Sequence, residues 1–206
     1  MKLTKRCAGI ARVLVASWIG LGACMVVAAP EEPCSKDEAK PGAATPEKIR
    51  QHAQAIRELK QLLADSDATV RLSALDAMLN SCDPAMREVA YEAGFASGDQ
   101  SMRALAFKHK VLSMTQFVIE SVPPENPNDA QKYLVACCLK LPVRVGTRNF
   151  ATGEFSGYDG PGSVNGLELR VTTGYGVARL RLEDAATAVG TLSRGADSVA
   201  ARVVLR

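Results

Sequence analysis

The sequence predicts an α+β fold, in which an antiparallel helical-repeat module is followed by a small antiparallel β-sheet domain. Two observations predict it. Apolar residues recur at helical spacing from Thr45 to about Leu139, and beyond that point they alternate with polar residues in a segment rich in Gly, Val, Thr and Arg. Hydrophobic residues make up 47% and charged residues 23% of the 206 residues, which excludes a wholly disordered or collagen-like chain.

The first 28 residues have the features of a bacterial-type export signal. The first 29 residues hold four basic residues and no acidic one, and an uncharged apolar run covers Val13–Ala29. Leu21-Gly22-Ala23-Cys24 also resembles a lipobox, in which Cys24 would carry a lipid. We therefore expect a signal peptide over residues 1–28 and a periplasmic or secreted protein. It would contact a membrane only through a lipid on Cys24 or through an uncleaved signal.

Residues 29–44 predict a disordered linker, because they mix proline, charge and small side chains without a hydrophobic period. The formal net charge of the whole chain is +3, but the leader contributes four of the 25 basic residues. The remainder holds 21 basic and 22 acidic residues. This near-neutral balance argues against a nucleic-acid partner bound through bulk charge.

Three consecutive segments of 16 residues align without a gap: Ser66–Ser81, Cys82–Ser97 and Gly98–Ser113. Each segment has Asp at its second position and Arg at its sixth: Asp67 and Arg71, Asp83 and Arg87, Asp99 and Arg103. Asp is a preferred N-cap because its carboxylate accepts hydrogen bonds from the first turn of a helix. Each segment therefore predicts one helix, whose apolar face a neighbouring helix must cover.

The pattern D-x-x-[VM]-R-x-x-A in residues 66–113 resembles the HEAT-like repeat. The resemblance implies an α-solenoid scaffold that binds other proteins through an exposed surface. It also implies that the three aspartates match the turn aspartates and the three arginines support the turns. Here every helix carries the signature, rather than one helix of each hairpin. The alternative is that these residues serve only as caps and intramolecular ion pairs.

Further helices flank the repeats and extend the predicted helical domain over residues 45–139. Thr45 precedes Pro46 and predicts the N-cap of a first helix. Met114–Glu120 is expected to extend the third repeat or to form a further helical turn. Asn128 or Asp129 is expected to cap a last helix, Ala130–Cys138.

Residues 140–206 predict an antiparallel β domain. Apolar residues alternate with polar ones over residues 139–145, 167–171, 178–182 and 199–205, which predicts five or six strands in a meander with one buried and one solvated face. Five arginines lie on the predicted polar face, where they would be able to bind an anionic partner: Arg144, Arg170, Arg179, Arg181 and Arg202. The alternative is that they are ordinary solubilising charge.

Four cysteines follow the predicted signal peptide: Cys34, Cys82, Cys137 and Cys138. An oxidising compartment permits disulfides, and four thiols allow three pairings. Cys34 is expected to link the linker to Cys82 or to the vicinal pair. The alternative for Cys137 is that it is only a small buried apolar residue. A zinc site that combines Cys82, His109 and the vicinal pair is a further alternative, although no CxxC spacing supports it.

The predicted function is that of an exported, non-catalytic scaffold or adaptor that binds another envelope or secreted protein. The alternative hypothesis is an envelope polyanion or glycan binder that uses the arginine-rich sheet face. The third hypothesis is a hydrolase of unknown substrate. The sequence contains no GxSxG, HExxH, P-loop or GxGxxG motif. We therefore expect no enzymatic activity, no cofactor and no metal.

Overall fold

The computed structural model describes residues 45–157, 160–184 and 186–205. Within these residues the chain forms five helices and nine strands, which confirms a mixed α+β fold. The predicted signal peptide over residues 1–28, with Cys24, and the predicted linker over residues 29–44, with Cys34, lie outside the described residues.

The helices are α1 (Pro46–Leu63), α2 (Ala68–Leu79), α3 (Pro84–Ala96), α4 (Gln100–Ser113) and α5 (Asp129–Cys138). Each 16-residue segment forms one helix, as predicted. Thr45 caps α1, and Asn128 caps α5 in a reciprocal capping box with Gln131. No helix in the described part of the chain is both long enough and apolar enough to span a bilayer.

The first four helices pack in sequence order, α1 on α2, α2 on α3 and α3 on α4. Their covered faces carry the apolar residues that the repeat places at matching positions, including Leu75, Tyr91, Phe95 and Phe107. The mutual burial of these side chains stabilises the array. Membership in the HEAT-like class stays a prediction.

The strands are β1 (Gln116–Val122), β2 (Lys140–Arg144), β3 (Arg148–Asn149), β4 (Glu154–Ser156), β5 (Pro161–Asn165), β6 (Glu168–Thr173), β7 (Gly176–Asp184), β8 (Thr187–Arg194) and β9 (Asp197–Val204). Among the described residues they form one sheet in the order β2-β1-β9-β8-β7-β6-β5-β4-β3. All neighbouring strands are antiparallel, and β3 to β9 form a meander.

The prediction that Met114–Glu120 continues the helical zone was wrong. Helix α4 ends at Ser113, and β1 begins at Gln116. Phe117 and Ile119 alternate with more exposed residues, so their side chains enter the core from a strand. Strand β1 lies between β2 and β9, and strand residues therefore occur on both sides of residue 140. The sheet also has more than the five or six strands expected.

One face of the sheet is buried and shares a single hydrophobic core with the helices. The predicted alternation is confirmed, since the inward positions of β2, β6, β7 and β9 are buried: Leu141, Val143, Leu169, Val171, Ala178, Leu180, Leu182, Val199, Ala201 and Val203. Helix α4 contacts β5, and α5 contacts β1 and β9. The opposite face, which we call the outer face, carries side chains that are exposed or half-buried.

Candidate functional site

The three repeat aspartates are helix N-caps. Asp67, Asp83 and Asp99 each accept a hydrogen bond from the backbone N–H two residues later, at 2.7 to 2.9 Å. These backbone hydrogen bonds are the main reason that the pKa values of Asp67 and Asp99 lie below the usual value. Asp83 also contacts the imidazole of His52 in α1. The cap role that the sequence predicted is therefore confirmed.

The three repeat arginines bind other parts of the same chain. Arg71 and Arg87 each donate to a carbonyl oxygen in the turn that precedes their own helix, at 3.0 and 3.1 Å. Arg71 also binds the carboxylate of Asp99 at 3.1 Å, which links α2 to the start of α4. Arg103 instead donates to the carbonyl oxygen of Glu183 in β7 at 2.6 Å. The contacts of these arginines support the turns and tie the helices to the sheet.

A hydrogen-bonded cluster joins α3 to α4 inside the helical array. The Tyr91 hydroxyl lies 2.8 Å from Nδ1 of His109 and 3.0 Å from the hydroxyl of Ser113. The ring of Phe150 packs on His109 with 5.0 Å between ring centroids. Burial lowers the pKa of His109 to about 4. The imidazole is therefore neutral at neutral pH, where it holds α3 and α4 together as a packed hydrogen-bonding group.

The vicinal cysteines lie at the end of α5 and are free thiols. Their sulfur atoms are 2.8 Å apart; Cys138 is fully buried and Cys137 is half-buried. Burial raises the pKa of the Cys138 thiol to about 12. No disulfide to either residue is present, and the pairing of Cys34 with Cys82 stays a prediction. No group of three or more metal-ligating side chains lies together in the described ranges, so the alternative zinc set is not assembled there.

The five arginines predicted for the polar face all lie exposed on the outer face. Arg170 on β6 and Arg179 on β7 are directly opposite each other in the strand register. Arg181 follows Arg179 on the same side of β7. Arg202 on β9 lies in the same cross-strand row as Arg181, with Val189 of β8 between them. Arg144 is the outlier: it lies on the edge strand β2, opposite Gln116.

Two of these arginines are paired with carboxylates of the same face. Arg181 lies 3.5 Å from Glu168, and Arg202 lies 2.9 Å from Glu120. Both pairs join neighbouring strands, since Glu168 lies opposite Arg181 and Glu120 opposite Arg202. Opposite charges at such cross-strand positions stabilise a sheet modestly. These two arginines therefore have a structural role whether or not a ligand binds.

Arg170 and Arg179 have no ion pair and no hydrogen bond with any residue of the described ranges. Their neighbours in the same cross-strand row carry hydroxyl groups: Ser163 on β5 is opposite Arg170, and Thr191 on β8 is opposite Arg179. Like charges directly opposite each other destabilise a sheet. Neither arginine of this row therefore has a stabilising ion-pair partner among the described residues.

The two hydroxyl residues of this row were not among the predicted site residues. The signal that identifies them is the register of the hairpins. Thr173 lies opposite Gly176 across a two-residue turn. Counting three residues away from the turn on each strand, Arg170 therefore lies opposite Arg179. The turn that places Asn165 opposite Glu168 sets Ser163 beside Arg170 in the same way.

The chain was compared with protein-family models, with curated proteins and with solved structures, and no match was found in any of the three.

Proposed function

We propose that this protein is an exported, non-catalytic binding protein whose outer sheet face binds an acidic glycan of the cell envelope. The observation that carries this proposal is the arginine content of the outer face, with Arg170 and Arg179 lacking a carboxylate partner among the described residues. Arginine side chains on a solvated sheet present planar donor groups that match anionic oxygens. The repeat residues, by contrast, are engaged within the chain.

An acidic glycan fits this face better than a small neutral ligand does. The arginines of β6, β7 and β9 extend across four neighbouring strands, which at about 4.8 Å per strand covers about 14 Å. An extended polymer with repeated negative charges is able to contact several of them at once, and such contacts are weakened by salt. The predicted export signal supports a partner located outside the cytoplasm.

Retention on immobilised lipopolysaccharide and on peptidoglycan tests the proposal. We expect the full chain to be retained at low salt and released as salt is raised, because surface charge contacts are screened. Arg179→Glu with Arg181→Glu should abolish retention. The matched control is Lys48→Glu with Arg50→Glu, which changes the net charge equally on exposed positions of α1. Retention that is lost equally in both variants, or absent in the parent protein, would refute a role of the outer face.

A second candidate is the scaffold role predicted from the repeats. It is favoured by α1, which has no buried residue and whose apolar side chains Ile49 and Leu62 are 56% and 41% exposed. These two side chains lie about 20 Å apart along the helix and on different sides of it, so each would be a separate apolar contact for a partner protein. The test is capture of one envelope protein that is lost with Ile49→Gln and Leu62→Gln but retained with the outer-face variant. Capture that does not depend on α1 would contradict this role.

A further inference from the structure

One cross-strand row of the outer face combines two hydroxyl side chains with two arginines. Across β5, β6, β7 and β8 the row reads Ser163, Arg170, Arg179 and Thr191. Residues that are opposite each other on neighbouring strands point to the same side of the sheet. The four side chains therefore leave the sheet side by side, with the two guanidinium groups in the centre and one hydroxyl on each flank.

The carboxylates near this row already have other partners. Glu168, which is two residues from Arg170 on the same side of β6, binds Arg181 at 3.5 Å. Glu154, at the β4 end of the row, accepts a hydrogen bond from the Thr152 hydroxyl at 3.2 Å. Within the described residues neither acid is paired with Arg170 or Arg179. The two central arginines lie opposite each other and repel, and no carboxylate of the described residues forms an ion pair with either of them.

The donor arrangement favours a tetrahedral oxyanion over a carboxylate. A guanidinium presents donors in a planar fork that binds two oxygens of one anion. A carboxylate has two oxygens, and one arginine in the bidentate arrangement already contacts both of them. A phosphate or sulfate ester has three terminal oxygens, which two opposed arginines and a flanking hydroxyl are able to share.

We propose that Arg170 and Arg179 bind one phosphate or sulfate ester group of the acidic glycan, with the hydroxyl of Ser163 or of Thr191 beside it. This assignment rests on the proposed function and narrows it to a ligand group and to one cross-strand row of the outer face. The ester bridges the two arginines and neutralises their repulsion. One flanking hydroxyl is able to donate to it, but not both, because Ser163 and Thr191 are three strand spacings apart, about 14 Å. Arg181 and Arg202 contribute to the field of the face but keep their bonds to Glu168 and Glu120.

Surface plasmon resonance of the full chain on four polymers tests the row: dextran phosphate, dextran sulfate, carboxymethyl dextran of equal charge density, and uncharged dextran. We expect binding to the phosphate or the sulfate polymer to be about tenfold tighter than to the carboxymethyl polymer. Equal binding to the carboxymethyl polymer would overturn the assignment of an ester oxyanion. Inorganic phosphate that binds as tightly as the ester polymer would overturn the glycan source of the group.

Two double variants separate the row from the general charge of the face. Arg170→Gln with Arg179→Gln should weaken binding about tenfold or more and reduce the slope of log affinity against log salt by about two. Arg181→Gln with Arg202→Gln removes the same charge from the same face and should weaken binding less than about threefold. Equal losses in the two double variants would show that bulk charge, and not the row, binds the polymer.

Urea unfolding of each variant shows whether lost binding is caused by misfolding. Removal of the repulsion between Arg170 and Arg179 should leave the urea midpoint of that variant equal to or above that of the parent protein. A lower midpoint would overturn the view that the pair opposes folding. If the parent protein binds none of the charged polymers, the proposed function fails. If it binds them and the two double variants behave alike, only the assignment to this row fails.

Discussion

Acidification below pH 6.5 is expected to destabilise the protein through the imidazole of His109. This side chain is 8% exposed and is hydrogen-bonded to the Tyr91 hydroxyl. Burial is the main cause that lowers its pKa from 6.5 to about 4. The positive charges of Arg87 and Lys108 lower the pKa further, and the negative charge of Asp76 opposes them. The folded protein therefore resists protonation of this group.

The direction and size of the effect follow from proton linkage. Between pH 6.5 and about 4 the unfolded chain binds a proton at this histidine and the folded protein does not. The free energy of unfolding therefore falls as the pH falls through this window, and the contribution of His109 is constant above and below it. At 1.36 kcal/mol per pH unit the window corresponds to about 3 kcal/mol, and residual solvent access reduces the expected loss to about 2 kcal/mol.

Urea unfolding of the full chain between about pH 7 and about pH 4.5 measures this loss. His109→Asn is the matched variant, because its amide keeps a hydrogen-bonding group beside Tyr91 but does not titrate. Both proteins carry His52→Asn, which replaces the second of the two histidines in the sequence. We expect the Asn variant to be less stable at neutral pH, since packing volume is lost, but to lose less stability on acidification. Parallel pH profiles for the two proteins would refute this explanation.

Three further outcomes are expected. Gly190→Ala should lower the free energy of unfolding by at least about 1 kcal/mol, because its Cβ would overlap the carbonyl oxygen of Arg179 on the neighbouring strand; an unchanged urea midpoint would contradict this. Arg148→Ala should cost about 1 to 2 kcal/mol by the same assay, since Arg148 donates at 2.7 Å to a carbonyl at the C-terminal end of α4, and Arg148→Lys should restore part of the loss. In a Cys138→Ser variant, Cys137 should react with iodoacetamide faster than Cys138 does in a Cys137→Ser variant, because burial raises the pKa of Cys138 to about 12. Equal rates at these two residues, measured by peptide mass spectrometry, would contradict it.

The helices were predictable because their signals are local. An Asp N-cap every 16 residues marks each helix start, and apolar residues at helical spacing mark each buried face. What the sequence could not show was the partner of each repeat arginine. Arg71 and Arg103 occupy matching positions, yet one reaches Asp99 and the other reaches β7. Those partners depend on tertiary packing.

Strands with clear alternation were predicted, and strands with other patterns were missed. In β1 the apolar residues Phe117, Val118 and Ile119 are consecutive, a short run that fits a helix end as well as a strand. In β8 the inward position between Ala188 and Leu192 is Gly190, which interrupts the alternation of apolar and polar residues. The arginine face was predictable from the same alternation. The unpaired row on it required the hairpin register as well.

Strand β9 joins two parts of the sheet that no earlier strand connects. It separates β1 from β8, although β1 precedes it by the whole of α5 and seven strands. Contacts between such distant segments raise the relative contact order, which slows folding. Until β9 is in place, β1 and β8 both present unpaired backbone edges, which are sites of aggregation. A chain that lacks β9 should therefore expose the unpaired backbone edges of β1 and β8. We expect truncation before Asp197 to cause aggregation, whereas deletion of the edge strand β3 should not.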